Sequence, residues 1–205
     1  MKKITYTLNF GLIGSNSSAI DFGKKIFFEY LKRIAIKSNL TENYNINEGI
    51  LEFLIIFREI PIKIRIFLAD SFNDIIYNYE RIRTIDILIL LLNIFDLNSI
   101  NSLTRDSFEE FKNYFSFRNG VSVLAGINME GENSSENSRI SRSQLTEKAK
   151  ELDVLYGYEL TINEKENSEF FNHILSDFIF KFQYSSPELF DLAKLYGKEL
   201  MGKSN

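Results

Sequence analysis

Apolar runs along this chain each end in a polar corner. Thr5–Ile13 leads into Gly14-Ser15-Asn16, Ile62–Leu68 into Ala69-Asp70-Ser71, Ile85–Phe95 into Asp96, Val121–Ile127 into Asn128-Met129-Glu130, and Val154–Glu159 into Leu160-Thr161-Ile162-Asn163. Runs rich in β-branched and aromatic residues and bounded by turn formers predict strands. Ile85–Phe95 is almost wholly apolar, as expected of a parallel strand covered on both faces. Ile50–Ile60 and Ile62–Leu68 meet at Arg58-Glu59-Ile60-Pro61. That junction predicts an antiparallel hairpin, with Pro61 favouring a turn or an edge.

Between these runs the period changes to that of a helix. Asp21–Ile36 carries Phe22, Ile26, Phe27, Tyr30, Leu31 and Ile34 at helical spacing, and Phe108–Phe117 places Phe108, Phe111, Tyr114 and Phe115 on one face. Ser141-x-x-Gln144 has the form of a capping box ahead of Leu145–Leu152. Ser168–Phe182 predicts a long aromatic helix. A last helix starts at Ser186-Pro187-Glu188, with Pro in the first turn. Leu189, Leu192, Leu195, Tyr196 and Met201 gather near one side of it, a face expected to pack on the domain. Ser38–Gly49 reads as a loop, and Gly131–Ser138 as a low-complexity stretch expected to be mobile.

Strands alternating with helices predict an α/β domain over residues 1–182: a doubly wound, mostly parallel sheet of about six strands with one antiparallel edge hairpin, and a ligand site at the carboxyl ends of the strands. An extra C-terminal helix and tail occupy 183–205.

The totals narrow the function classes. With 205 residues, 44% hydrophobic and 25% charged, the chain has the composition of one globular domain. A net charge of −4 argues against a nucleic-acid partner. The absence of cysteine excludes disulfides, thiolate metal sites, a cysteine nucleophile, prenylation and palmitoylation, so no lipid anchor is expected. Met1-Lys2-Lys3 leads into a strand-like alternation and not into a signal sequence, and Ile85–Phe95, interrupted by Asp86 and Asn93, is too short to cross a bilayer. A cytoplasmic protein is expected. The single histidine, His173, lies on the Ser168–Phe182 helix among Phe170, Phe171 and Leu175 and reads as a structural or surface residue, not a catalytic one.

From Ile50 onward the pattern resembles the Ras-like small GTPases. The stretches that carry the resemblance are Ile64-Arg-Ile-Phe-Leu-Ala-Asp-Ser71, Ile85-Asp-Ile-Leu-Ile-Leu-Leu-Leu-Asn-Ile-Phe-Asp96, Val121-Ser-Val-Leu-Ala-Gly-Ile-Asn-Met-Glu130 and Tyr158-Glu-Leu-Thr-Ile-Asn163. In order and spacing the resemblance covers residues 4–182. It implies a P-loop small-GTPase-like fold, GTP or GDP with magnesium as ligands, and a protein partner through the switch-like segments 40–49 and 71–83. In the latter segment Tyr77, Tyr79, Arg81 and Arg83 suit an interface.

The resemblance also implies where nucleotide would be held. A phosphate loop is Gly-x-x-x-x-Gly-Lys-Ser/Thr, whose amides cradle phosphates, whose lysine meets the β- and γ-phosphates and whose hydroxyl holds magnesium. Read from Gly14 through Ser15, Asn16, Ser17 and Ser18, the next positions hold Ala19, Ile20 and Asp21 in place of Gly, Lys and the hydroxyl. A register with a longer loop recovers Gly23-Lys24 but puts Lys25 at the hydroxyl position. A plain strand–loop–helix corner stands beside both. Asn47 occupies the place of the switch threonine, and Leu68-Ala69-Asp70-Ser71 that of Asp-x-x-Gly, with the acid displaced. At the base-reading corner one alignment supplies Glu130 for the guanine-binding acid, and a one-residue slip supplies Asn128 for the asparagine. The last corner offers Thr161.

With the lysine, hydroxyl, switch threonine, Asp-x-x-Gly and water-orienting glutamine all missing in register, no turnover is expected. The expected function is a pseudo-GTPase that binds nucleotide weakly or not at all and acts as a regulatory or protein-interaction module. The alternative is a divergent active GTP-binding switch that uses Gly23, Lys24 and Asp70. An unrelated doubly wound domain with another small ligand at the same strand ends is the third reading. A receiver-type domain would need an acidic pair where Gly14-Ser15-Asn16 stands.

Overall fold

The computed structural model describes residues 4–14, 17–38, 50–78, 84–115, 117, 120–128, 139–161 and 164–202. Expectations for Ser15, Asn16, Tyr79, Arg81, Arg83, Glu130, segment 40–49 and Gly131–Ser138 fall outside them.

In chain order the elements are β1 (Tyr6–Ile13), α1 (Ser18–Ile34), β2 (Ala35–Ser38), β3 (Leu51–Phe57), β4 (Ile60–Ala69), α2 (Phe72–Asn78), β5 (Ile87–Asn93), α3 (Leu97–Asn101), α4 (Arg105–Tyr114), β6 (Val121–Ile127), α5 (Arg142–Glu151), β7 (Tyr156–Leu160), α6 (Glu164–Ser185) and α7 (Pro187–Gly202). The strands form one sheet in the order β2-β3-β4-β1-β5-β6-β7. Strands β4, β1, β5, β6 and β7 run parallel, while β2 and β3 make an antiparallel edge.

Among the described residues the sheet therefore has seven strands, against about six expected. The addition is β2. Its residues Ala35-Ile36 carry on the apolar spacing of α1, so the sequence predicts a helix through Ile36, but the helix stops at Ile34. Ala35 then turns extended and pairs with Ile55. Tertiary pairing overrides a continuing helical period here.

The expected hairpin is present, with Arg58 and Glu59 as its two-residue turn between paired Phe57 and Ile60. Both turn residues have positive φ, 48° and 68°, the backbone sense that matches strand twist in a tight hairpin. Pro61 sits opposite Ile56, one residue before β4 begins pairing with β1 at Ile62, so its missing N–H costs no ladder bond on that side.

Helices cover both faces. On one side α1, α6 and α7 pack Phe27, Leu31, Phe171 and Phe190 against Leu8, Phe10, Ile64 and Ile89. On the other α2, α4 and α5 pack Phe72, Phe108, Phe111 and Leu145 against Leu88, Leu90 and Leu124. β5 is buried along Ile87–Leu92, as its all-apolar run requires. α5 carries both reciprocal bonds of the Ser141–Gln144 capping box. Sequence reading missed α3, a short helix capped by the Asp96 side chain on Asn98 N–H. Tyr114 is part-exposed, and α4 packs through Phe108 and Phe111, with Phe115 at its cap.

α7 packs on the domain, but through Phe190, Ala193 and Gly197. Leu189, Leu195 and Met201, expected on the packing face, are exposed. Among the described residues no helix is long and apolar enough to cross a membrane.

Candidate functional site

The helix after β1 lies on one face of the sheet, whereas the helices after β4 and β5 lie on the other. Such a change of side opens a crevice at the carboxyl end of β1, where ligands bind in α/β sheets. Here β1 and β4 end together: Ile13 pairs with Ala69, and Gly14 N–H donates to the Ala69 carbonyl at 3.1 Å.

Gly14 is needed for packing. A Cβ at this position would lie 2.8 Å from Ile20 Cγ2 and 2.9 Å from Leu91 Cβ. Removing the side chain lets the head of α1 approach β5. Ser17 caps α1, its Oγ accepting from Ile20 N–H at 3.3 Å, and Ser18 is the first helical residue. Asp21 stands exposed in the first turn, where its charge offsets the positive end of the helix and would oppose a phosphate.

The longer-loop register is not formed. Because α1 already begins at Ser18, Gly23 and Lys24 lie within the helix and not at the end of a phosphate loop. Gly23 faces Ile127, whose Cδ1 would be 2.7 Å from an added Cβ. Lys24 belongs to the buried stripe of α1 with Ile20, Phe27, Phe28 and Leu31, and is only 1% exposed. Side chains lean toward the N-terminus of a helix. In that direction the Lys24 ammonium meets the Asp70 carboxylate at the end of β4, with Nζ 3.9 Å from Oδ1. The cation that reaches the crevice is thus already opposed by an acid of the same chain.

On the far side of the strand from α1, a cavity of about 300 Å³ lies among Gly14, Asp70, Ser71, Ser99, Ser102 and Ser107. Its hydroxyls are engaged locally. Ser71 Oγ donates to Asp74 at 2.7 Å, Ser99 Oγ to the Asp96 carbonyl at 2.8 Å, and Ser102 Oγ to the Ser99 carbonyl at 2.9 Å.

The ends of β6 and β7 are closed in the same manner. Asn128 N–H donates to the Leu160 carbonyl at 2.8 Å, and its side-chain amide donates to Glu159 Oε1, also at 2.8 Å. Glu159, with a side chain 8% exposed, receives Arg139 on Oε1 and faces Arg142 Nε at 3.5 Å from Oε2. One of the two side-chain N–H donors of Asn128 is therefore engaged by Glu159. Thr161 Oγ1 donates to Glu166 at 3.3 Å, and the Thr161 carbonyl accepts from Asn167 Nδ2 at 2.7 Å.

The fold brings Gly14, Ser17, Ser18, Gly23 and Lys24 to the head of α1. Asn128 and Thr161 lie together at the ends of the last two strands. The sequence reading singled out Asp70 but missed its pairing with Lys24, and missed Glu159 altogether. The spacing of Lys24 from Ile20 and Phe28, four residues each way on an apolar stripe, was the available signal that this lysine is internal. Among the described residues no cluster of His, Asp and Glu is arranged to hold a metal ion. Comparison of the chain with protein-family models gives no match, and neither does comparison with curated proteins.

Proposed function

We propose that this chain is a doubly wound, small-GTPase-like protein that binds nucleotide weakly or not at all, does not turn it over, and works as a regulatory or protein-interaction module. The observation that carries this reading is the Lys24–Asp70 pair. A phosphate site needs a cation directed at the ligand, and a magnesium site needs a carboxylate or hydroxyl directed at the metal. In this crevice Lys24 and Asp70 face each other, Ser17 caps its own helix, and Asp21 occupies the place of the magnesium hydroxyl. These groups do not suit a magnesium–triphosphate.

The succession of strand, helix, antiparallel hairpin and alternating parallel strands agrees with what the resemblance implies, which supports the small-GTPase-like reading. The partner surface of this reading includes α2, where Tyr77 is 83% exposed. Calorimetric titration of nucleotide-free protein with GTP and GDP, with and without magnesium, tests it. The expected result is no binding or weak, magnesium-independent binding. Micromolar, magnesium-dependent binding overturns it in favour of a divergent switch.

A further inference from the structure

At the amino-terminal end of the sheet, opposite the crevice, lies a cavity of about 730 Å³. It is a separate feature from the strand-end corners, and its walls come from the starts of β1 and β5, from Phe115, Phe117 and Gly120 between α4 and β6, and from the last turns of α6. Tyr6, Phe115, Phe117, Phe178, Phe182 and Tyr184 line it. The Tyr6 ring lies 4.1 Å from that of Phe182 and 5.1 Å from that of Phe178, centroid to centroid. Phe180 and Tyr184 stand on the rim with their rings 4.7 Å apart, and they are 61% and 72% exposed. Large aromatic rings left in water beside a cavity mark a binding surface.

One carboxylate belongs to this cavity. Asp86 Oδ2 accepts from Asn9 N–H at 2.8 Å, while the Asp86 main chain joins β1 to β6 through Asn9 O and Val121 N, both at 2.9 Å. Burial raises the Asp86 carboxyl above its ordinary range, with the Asn9 N–H working against that rise. Tyr6 is raised as well, by burial first and then by the Asp86 charge, which places the two groups within electrostatic reach of each other. Among the described residues no cation forms an ion pair with Asp86. Lys181, also on the lining, is exposed to solvent.

We propose that this cavity binds an organic cation, with an ammonium group against the Asp86 carboxylate and an apolar body among the aromatic rings. Ring faces carry partial negative charge and attract cations. A partly desolvated carboxylate with one oxygen held by a single N–H gains from a charge-assisted hydrogen bond. The volume exceeds what a lysine stem fills and lies in the range of small-molecule sites.

The test uses the full chain and three probes of similar shape, namely phenethylammonium, phenethyl alcohol and hydrocinnamate, followed by ligand-detected NMR and calorimetry. The cation is expected to bind about tenfold more tightly than the alcohol, with the anion weakest. Asp86→Asn keeps an acceptor for Asn9 N–H, removes the charge, and should remove most of the cation's advantage over the alcohol. Phe180→Ala, at a position 61% exposed, should weaken both cation and alcohol, the cation more. The proposal is overturned by equal binding of the three probes, by no binding to folded protein, by a cation preference undiminished in Asp86→Asn, or by tighter binding of N-acetyl-lysine amide than of phenethylammonium.

Discussion

Gly197 of α7 rests on the main chain of Glu59 in the β3–β4 turn, so closely that an added Cβ would fall 1.8 Å from the Glu59 carbonyl oxygen. Lys194 and Lys198 flank the same turn residue, with ammonium groups 3.5 and 3.7 Å from its carboxylate. The two kinds of contact differ in weight. The ion pairs are solvent-exposed and each contributes under about 1 kcal/mol. The backbone contact has no flexible partner that can give way. Gly197→Ala is therefore expected to destabilise the protein by about 1–3 kcal/mol from overpacking, less up to about 1 kcal/mol that alanine returns as helix propensity. Urea unfolding reads the net loss, and amide exchange should rise selectively in α7. Lys194→Ala and Lys198→Ala should leave both measurements nearly unchanged.

The Lys24–Asp70 pair predicts an asymmetry. Asp70→Asn leaves a buried ammonium facing no acid among the described residues and should cost under about 3 kcal/mol, below the loss for a fully buried pair because the Asp70 side chain is 45% exposed. Lys24→Met replaces that ammonium with an apolar group of similar length on an already apolar stripe, and should be neutral or stabilising. Denaturant midpoints of the two variants decide it. Equal losses would mean that the pair does not organise the crevice.

Acid stability should depend on Glu52. On β3 its carboxylate meets Lys63 Nζ at 2.8 Å and Arg65 Nε at 2.9 Å across the sheet. The Lys63 hydrogen bond, followed by Arg65 and opposed by burial, holds this carboxyl below its ordinary value of 4.5. A depressed carboxyl adds stability that is complete above the ordinary value and is lost as pH falls through the lower, folded-state value. Glu52→Gln should therefore reduce stability at neutral pH and flatten the decline below pH 4.5. Asp86 has the opposite sign, since its raised carboxyl costs stability once it ionises. Chemical unfolding across a pH series separates the two variants.

The capping box of α5 offers a local test. Ser141 Oγ accepts from Gln144 N–H, and Gln144 Oε1 accepts from Ser141 N–H. Ser141→Ala should cost about 1 kcal/mol, measured by thermal or urea unfolding.

How far the sequence could be read varies with the distance of the controlling interaction. The bounds of β6, Val121–Ile127, match the predicted run because Gly120 and Asn128 punctuate it locally. The capping box and Pro187 are local signals too, and both were legible. β2 was not, because Ala35 and Ile36 satisfy a helical period and only pairing with β3 makes them a strand. The packing face of α7 was misjudged for a related reason. Its apolar residues wrap much of the helix, and the turn at Glu59 selects the side carrying Gly197. At the site, residue types were visible but pairings were not. Lys24 stood as a phosphate-loop cation in only one of the registers, and its place inside α1 follows from the helix starting at Ser18; Asn128 stood as a base reader in only one alignment, and its contact with Glu159 is long-range.

The place of β1 in the middle of the sheet has a consequence for how the chain is made. Tyr6 pairs with Ile62 and Phe10 with Ile87, so β1 has neighbours that are translated much later. At roughly 5–20 residues per second, Leu8, Phe10 and Leu12 wait several seconds for β4 and longer for β5. During that interval an apolar strand with both edges open hangs from the ribosome, the condition in which chains pair with one another or are held by chaperones. The yield of folded protein in the cell should therefore depend on the pace of translation between β1 and β5.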